Sequence, residues 1–411
     1  MATPNPLLER LRAILAERKT RGRLRSLKTL PSDVADFSSN DFLSLSTCPG
    51  FRDLYLDNLS KIAASHRLAS SGSRLLDGNS EYAEELEKFL ADFHSAPSGR
   101  LFNSGYDANV SIFSCIPQIG DVIMYDELIH ASTHDGMRLS RASRRIAFQH
   151  NSVEDFRVKL QAEIDMDHLI RSGKRNVIVA TESLYSMEGD FAPIREILDV
   201  LETLLPGGNG QLIIDEAHST GILGPRGGGV VQSLGVQDRV FIRLHTFGKS
   251  IASLGAIALC HPITRDYLTN YARPLIFSSA SGIPTLVATR TTYELMAEGA
   301  MVPLQTQLQQ KIQLLRTSLA VISPTDKSIL QMRHHPTSPI FSIKTKFPHD
   351  LAKACQQEGL MVRAIVAPTV PLGTERVRVC LHARNSIEEI QKLVAVIDRW
   401  VQSRDQTKAT L

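Results

Sequence analysis

No stretch of eighteen or more apolar residues occurs in this 411-residue chain, so no membrane-spanning helix is expected. No apolar signal-peptide core follows the N-terminus either, which predicts an intracellular protein. Cysteine is scarce. Cys48, Cys115, Cys260, Cys355 and Cys380 are odd in number and scattered, mostly in apolar segments, which predicts reduced thiols rather than a disulfide framework. Neither CxxC nor HExxH occurs, and although His130 and His134 stand four apart, no third ligand is suggested, so no metal is expected. An excess of one charge is also missing. The 46 Lys and Arg against 43 Asp and Glu leave a net charge of +3, too balanced for a protein that coats nucleic acid.

What is present is an ordinary globular composition, 43% hydrophobic and 22% charged, long enough for a large core and a second, smaller domain. The basic excess is local. Arg10, Arg12, Arg18, Lys19, Arg21, Arg23, Arg25 and Lys28 crowd the first thirty residues. There Leu7, Leu8, Leu11, Ile14 and Leu15 form an apolar stripe, which predicts a basic amphipathic helix. A mitochondrial presequence shares this pattern, but Glu9, Glu17 and the smooth run into Phe37-Ser38-Ser39-Asn40-Asp41 favour a folded arm.

Between about residues 95 and 260, short apolar runs alternate with amphipathic stretches: Val122-Ile123-Met124-Tyr125, Val177-Ile178-Val179-Ala180, Leu212-Ile213-Ile214, Val240-Phe241-Ile242 and Ala256-Ile257-Ala258-Leu259. Several end in a polar residue where a strand would stop, at Asp126, Glu182 and Asp215. This predicts an α/β fold with a mostly parallel sheet between helices, and chemistry at the carboxyl ends of the strands. Before the sheet, Asn79-Ser80 caps a predicted helix that buries Leu86, Phe89, Leu90 and Phe93. After a helical region at about 284–320 the texture changes. Short extended pieces at Ile340-Phe341-Ser342-Ile343 and Val377-Arg378-Val379-Cys380, then a helix opened by a Ser386-x-x-Glu389 capping box, predict a separate C-terminal α+β domain.

Four segments carry candidate chemistry. Leu212-Ile213-Ile214-Asp215-Glu216-Ala217-His218 delivers a carboxylate and then an imidazole from one strand end. A buried acid there needs a cationic partner, although a helix cap would also account for it. His245-Thr246-Phe247-Gly248-Lys249-Ser250 sets a lysine in a small-residue turn beside apolar sequence, where desolvation favours a nucleophilic amine. Gly99 to Asn109 reads as strand, Ser-Gly turn and helix start, with free amides there for a phosphate. His130 follows the next strand, placed to stack on a flat ligand. An anion cradle, a stacking ring, an acid for a ring nitrogen, a histidine for a phenolic oxygen and an amine together describe a pyridoxal phosphate site.

The sequence also resembles the α-oxoamine synthases of fold type I, from about residue 5 to 400. The resemblance rests on Phe37-Ser38-Ser39-Asn40-Asp41-Phe42-Leu43, Gly72-Ser73-Arg74-Leu75-Leu76-Asp77-Gly78-Asn79, Thr181-Glu182-Ser183-Leu184-Tyr185-Ser186-Met187-Glu188-Gly189-Asp190, Asp215-Glu216-Ala217-His218-Ser219-Thr220-Gly221 and Thr246-Phe247-Gly248-Lys249. It implies a fold type I transferase of the aspartate aminotransferase kind: a helical arm over 1–45, a large seven-stranded cofactor domain over 46–288 and a C-terminal α+β domain over 289–411. It also implies pyridoxal 5'-phosphate as cofactor, with Lys249 holding it and moving the substrate's Cα proton. Asp215 would pair with the ring nitrogen, His130 would stack, and His218 and Ser186 would lie near the phenolic oxygen. Glu182 belongs to the same cofactor set, Gly105, Tyr106 and Thr246 would meet the phosphate, and Ser278 and Ser279 would reach the phosphate of a second subunit, which implies a homodimer. Arg378 would hold the amino acid's carboxylate, with Asn40 in the same substrate set, and Arg25 and Thr369 would meet the acyl group.

The implied reaction is a decarboxylating Claisen condensation of an amino acid with an acyl-CoA or acyl-carrier thioester. Ala367-Pro368-Thr369-Val370-Pro371-Leu372-Gly373-Thr374-Glu375-Arg376-Val377-Arg378 is similar to the branch that joins L-alanine to a pimeloyl thioester in biotin synthesis. That branch usually has an arginine before this motif; here Val366 and Ala367 stand instead, which favours as an alternative a long fatty or polyketide chain. A non-catalytic partner subunit is the reading from another class, opposed by the joint presence of Lys249, Asp215, His218 and His130. Cytoplasm is the default compartment, with mitochondrial and peroxisomal addresses left open.

Overall fold

The computed structural model describes residues 5–22, 24–27, 29, 31, 33–322 and 329–409. Arg23 and Lys28 of the basic arm lie outside these. Two compact units emerge, 1–34 and 35–411. In the first, the helix Pro6–Thr20 is capped by the Asn5 side chain, which accepts from the Leu7 amide at 3.0 Å. No residue of this helix is buried within the chain, so its stripe of Leu7, Leu8, Leu11, Ile14 and Leu15 faces outward.

The second unit is built on a seven-stranded sheet. A short strand β1 (Ala35–Asp36) precedes it, and its members are β2 (Gly99–Phe102), β3 (Val122–Asp126), β4 (Arg144–Phe148), β5 (Val177–Glu182), β6 (Gly210–Asp215), β7 (Ile242–Thr246) and β8 (Ala256–Cys260). Their order is β2-β8-β7-β6-β5-β3-β4, with β8 antiparallel to both neighbours and all other pairs parallel. The central runs are apolar throughout because both faces are covered. Ile123, Ile178 and Ile213 pack to one side with the helices Gly105–Cys115 and Pro262–Tyr271. Val122, Val177, Val179, Leu212 and Ile214 pack to the other with Val153–Met166 and Ile194–Leu204. Edge strand β4 escaped the sequence reading because it starts with Arg144 and Arg145 and offers no unbroken apolar run. The helix capped by Ser80 runs Glu81–Phe93 and buries Leu86, Leu90 and Phe93, whereas Phe89 is half-buried beneath the Arg290 guanidinium.

The chain leaves β3 for β4 on one side and continues from β5 to β6 on the other, so adjacent strands β3 and β5 open a crevice at their carboxyl ends. Beyond the sheet, β9 (Gln331–Arg333), β10 (Ile340–Lys344), β11 (Leu360–Met361), β12 (Arg363–Ile365) and β13 (Arg376–Cys380) follow. Four of them form an antiparallel sheet in the order β12-β13-β10-β9, while β11 pairs with β1. The closing helix Ile387–Ala409 starts with the expected capping box: Glu389 accepts from the Ser386 amide at 2.9 Å, and Ser386 Oγ accepts from the Glu389 amide at 3.1 Å. The segment after β1 is laced to β13, with Phe37 O accepting from Cys380 N at 2.8 Å and Phe42 O from Ala383 N at 2.7 Å. All five cysteines are free thiols.

One ionic clamp holds the strand exits together. His150, just after β4, pairs through Nδ1 with Asp126 at 2.8 Å and through Nε2 with Asp190 at 3.1 Å. Burial works against its proton, but the bonds to Asp126 and Asp190 outweigh burial and lift its pKa from 6.5 to about 10. Because the folded value is raised, the stabilisation is complete below pH 6.5 and is lost as pH climbs through about 10. Urea unfolding at pH 6 and pH 10 should show a loss of stability in the native protein that the His150→Gln variant does not share; equal losses would refute the clamp.

Candidate active site

Strands β3, β5, β6 and β7 all deliver polar groups into that crevice. Glu182 and Asp215 end neighbouring strands in direct register. Asp215 Oδ1 accepts from the Ala217 amide at 2.9 Å and Oδ2 from Asn109 Nδ2 at 2.8 Å. Glu182 is fully desolvated, and burial, reinforced by the nearby Asp215 charge, raises its pKa well above the usual carboxylate range. The shift favours the protonated form of Glu182 beside Asp215.

Lys249 follows β7 in a tight turn closed by Ala252 N to Lys249 O at 3.0 Å and Ser253 N to Phe247 O at 3.0 Å. Burial lowers its pKa, with Asp215 and Glu182 opposing and Arg378 assisting. A lowered lysine gives more neutral amine near neutral pH, the form that serves as nucleophile or base. His218 is buried and its pKa falls well below 6.5, through desolvation first and then the charges of Lys249, Arg378 and His130. Its Nδ1 has no hydrogen-bond partner among the described residues.

At the other end of the cleft the helix Gly105–Cys115 starts under an N-cap from Ser104, whose Oγ accepts from the Asp107 amide at 3.0 Å. Thr246 Oγ1 is buried beside this helix start and has no hydrogen-bond partner among the described residues. A Cβ on Gly105 would lie 2.3 Å from Thr246 Cγ2, so only glycine lets helix and strand approach this closely. Free first-turn amides, a waiting hydroxyl and the helix dipole suit a phosphate. His130 caps the helix Ala131–Arg138 and flanks the same space.

Asn40, Gly105, Tyr106, His130, Glu182, Asp215, His218, Thr246 and Lys249 thus line one cleft of about 220 Å³. A flat heteroaromatic phosphate such as pyridoxal phosphate fits this donor set, since the cleft offers an anion cradle, an acceptor for a ring N–H and unsatisfied polar groups. Arg378 on β13 adjoins it, its Nη2 donating to Asn40 Oδ1 at 2.8 Å and its Nε to Ser186 O at 2.7 Å. Ser186 therefore contributes its carbonyl to Arg378. Ser278 and Ser279 lie elsewhere, in a second pocket beside Asn103, whose Nδ2 donates to Ser279 O at 2.7 Å. Thr369 is exposed in the β12–β13 connection, and Arg25 is exposed in the N-terminal unit. No cluster of potential metal ligands occurs among the described residues.

Two contributors escaped the sequence reading. Asn109 bridges Asp215 and Ser132, and Ser132 reaches His130 Nδ1 at 2.7 Å. Asn109 stands four residues after Gly105 on one helix, so helical spacing would have placed the two on one face. Glu216, adjacent to Asp215, points away instead and accepts from the Val230 and Val231 amides at 2.9 and 2.7 Å.

A profile described as aminotransferase class I and II matches residues 32–397. The 8-amino-7-oxononanoate synthase of Emericella nidulans is 55% identical over 409 residues, covering 100% of this chain and 99% of the relative. Aminoacyl transferase sphA of Aspergillus fumigatus is 37% identical over 379 residues, covering 89% of this chain and 80% of the relative. The solved serine palmitoyltransferase of Sphingomonas wittichii shares the fold, with a TM-score of 0.80 at 23% identity over 98% of each chain.

The anion cradle gives a direct test. Gly105→Ala must displace the Thr246 side chain, and should raise the dissociation constant for pyridoxal phosphate by about tenfold or more, as loss of one charge-assisted bond would. Equilibrium dialysis measures this, and unchanged affinity would remove Gly105 from the site.

Proposed function

The chain belongs to the aminotransferase class I and II family, among its α-oxoamine synthases, and from that premise we propose that it joins L-alanine to a pimeloyl thioester, with loss of carbon dioxide, as an 8-amino-7-oxononanoate synthase. The observation that carries the reading is the convergence of Lys249, Asp215, His218 and His130 on one cleft with Arg378 at its side. The Emericella nidulans relative, matched along its whole length, supports the same pair of substrates.

Bound pyridoxal phosphate supplies an electron sink for bonds broken at the amino acid's Cα. The protein's side chains do the rest. Gly105 and Tyr106 amides with Thr246 Oγ1 would hold its phosphate, and Lys249 would hold it through its amine. Asp215 would keep a proton on the ring nitrogen, His130 would stack on the ring, and His218 would lie near the phenolic oxygen. The carboxylate of the amino acid takes the Arg378 guanidinium, whose only described partners, Asn40 Oδ1 and Ser186 O, are neutral. Lys249, its pKa lowered by burial, takes the Cα proton as a neutral amine. Protonation on the acid side disables it, so turnover should fall as pH drops.

A large domain over 46–288 holds the cofactor in this reading, and a C-terminal domain over 289–411 brings Arg378 to it. The working form is a homodimer in which Ser278 and Ser279 close the partner's phosphate site, and the basic arm with Arg25 and Thr369 meets the anionic acyl thioester. No helix among the described residues is long and apolar enough to cross a membrane; we place the enzyme in the cytoplasm. A long-chain acyl substrate is the second reading, favoured by the neutral Val366-Ala367.

Product mass decides between them. Cofactor-loaded protein given pimeloyl-CoA and L-alanine should yield 8-amino-7-oxononanoate; a long-chain amino ketone from a fatty acyl-CoA, with none from pimeloyl-CoA, would establish the second reading. Lys249→Ala should abolish turnover together with the mass added by borohydride trapping of the cofactor, and undiminished turnover would defeat both readings. For Arg378→Ala, steady-state kinetics should show KM for the amino acid rising by about ten- to a hundredfold, the range for one lost charged hydrogen bond; an unchanged KM would move the carboxylate site elsewhere.

A further inference from the structure

We propose that Asn109 is a positioning residue which, through Ser132, fixes the proton of His130 on Nε2 and ties the stacking imidazole to the Asp215 carboxylate; the inference rests on the cleft being the cofactor site proposed above. Asn109 is 3% exposed and its Nδ2 donates to Asp215 Oδ2 at 2.8 Å and to Ser132 Oγ at 3.0 Å. An ionised carboxylate only accepts, so it dictates which end of the amide is nitrogen. Both amide hydrogens are then committed. Ser132 Oγ, accepting one of them, has a single proton left to donate, and His130 Nδ1 lies 2.7 Å away.

The Ser132 amide also donates to that nitrogen at 3.2 Å. With two donors pointing at it, Nδ1 carries no hydrogen. His130 is held as the neutral Nε2–H tautomer, and Nε2 has no hydrogen-bond partner among the described residues, which leaves it as the ring's available donor in the cleft. Burial and the Lys249 charge disfavour a second proton, with Asp215 opposing. The chemical purpose follows from charge. A ring nitrogen kept protonated beside the Asp215 carboxylate would put positive charge on the pyridine ring, and an imidazolium stacked on it would set cation against cation. One chain of hydrogen bonds therefore keeps the acid in place and the stacking ring uncharged.

Histidine ring 15N shifts test this on the full chain, with and without pyridoxal phosphate, with His130 assigned through the His130→Asn variant. The native protein should show a bare Nδ1 and a protonated Nε2 from pH 6 to 8. Ser132→Ala removes only one oxygen and should raise the minor tautomer about tenfold, the effect of one lost hydrogen bond. Asn109→Asp, an acceptor in place of a donor, should draw the Ser132 proton away and raise the pH at which His130 titrates. A native Nδ1–H, or a tautomer ratio unmoved by Ser132→Ala, overturns the proposal. Because the cofactor-free protein gives the same readout, failure of the substrate assignment leaves this result standing, and failure to bind pyridoxal phosphate marks a separate error.

Discussion

Everything at the carboxyl end of the sheet is arranged around one difficulty: Asp215 is an acid delivered by a buried strand, with Glu182 in register beside it. Two ionised carboxylates in such a place would cost several kcal/mol. The fold answers this by giving Asp215 donors on both oxygens, the Ala217 amide and Asn109, while burial and the Asp215 charge raise the pKa of Glu182. Lys249 then lies within reach of a carboxylate whose charge is organised but not neutralised by an ion pair of its own. Burial, working against that charge, lowers the pKa of Lys249 and His130, and an acceptor without an ion pair of its own suits a ring N–H.

The two arginines of β13 show the same logic in contrast. Arg376 and Arg378 point to one face of the C-terminal sheet, two residues apart. Arg376 is spent on structure. Buried almost completely, it pairs with Glu188 at 2.6 Å and donates to Met187 O at 3.0 Å and Thr374 O at 2.9 Å. These bonds pin the loop after β5 against the sheet, and that loop supplies Ser186 O to its neighbour. Arg378 receives only neutral acceptors, so its charge remains for a carboxylate from outside. The His150 clamp at Asp126 and Asp190 holds the same loop from the other side.

Much of this was legible without coordinates, because apolar runs that end in an acid or a lysine are local patterns. Asp215, Lys249, His130, Gly105 and the capping box at Ser386 each announce themselves within a few neighbours. Asn109 and Ser132 did not, since an amide or a hydroxyl on a helix carries no chemical signature until its partner is known, and Asn109 and Asp215 are 106 residues apart. Strand β4 was hidden for a different reason: a sheet edge tolerates arginines that a central strand would not. Glu216 directly follows Asp215, yet side chains alternate along a strand and its exit, and it caps the helix Val230–Leu234.

The sequence by itself determined the α/β architecture, the strand ends that would carry chemistry and the kind of group each would present, because periodicity and residue type act over short stretches of chain. Only the tertiary structure decided which of those groups share a cleft and in which state of charge. It joined Asn40 to Arg378 across 338 residues, left Ser278 and Ser279 in a second pocket, exposed Thr369, and buried Glu182 so that its pKa rises. Burial and electrostatic coupling depend on distances between residues far apart in the chain, and those distances exist only once the sheet has been assembled.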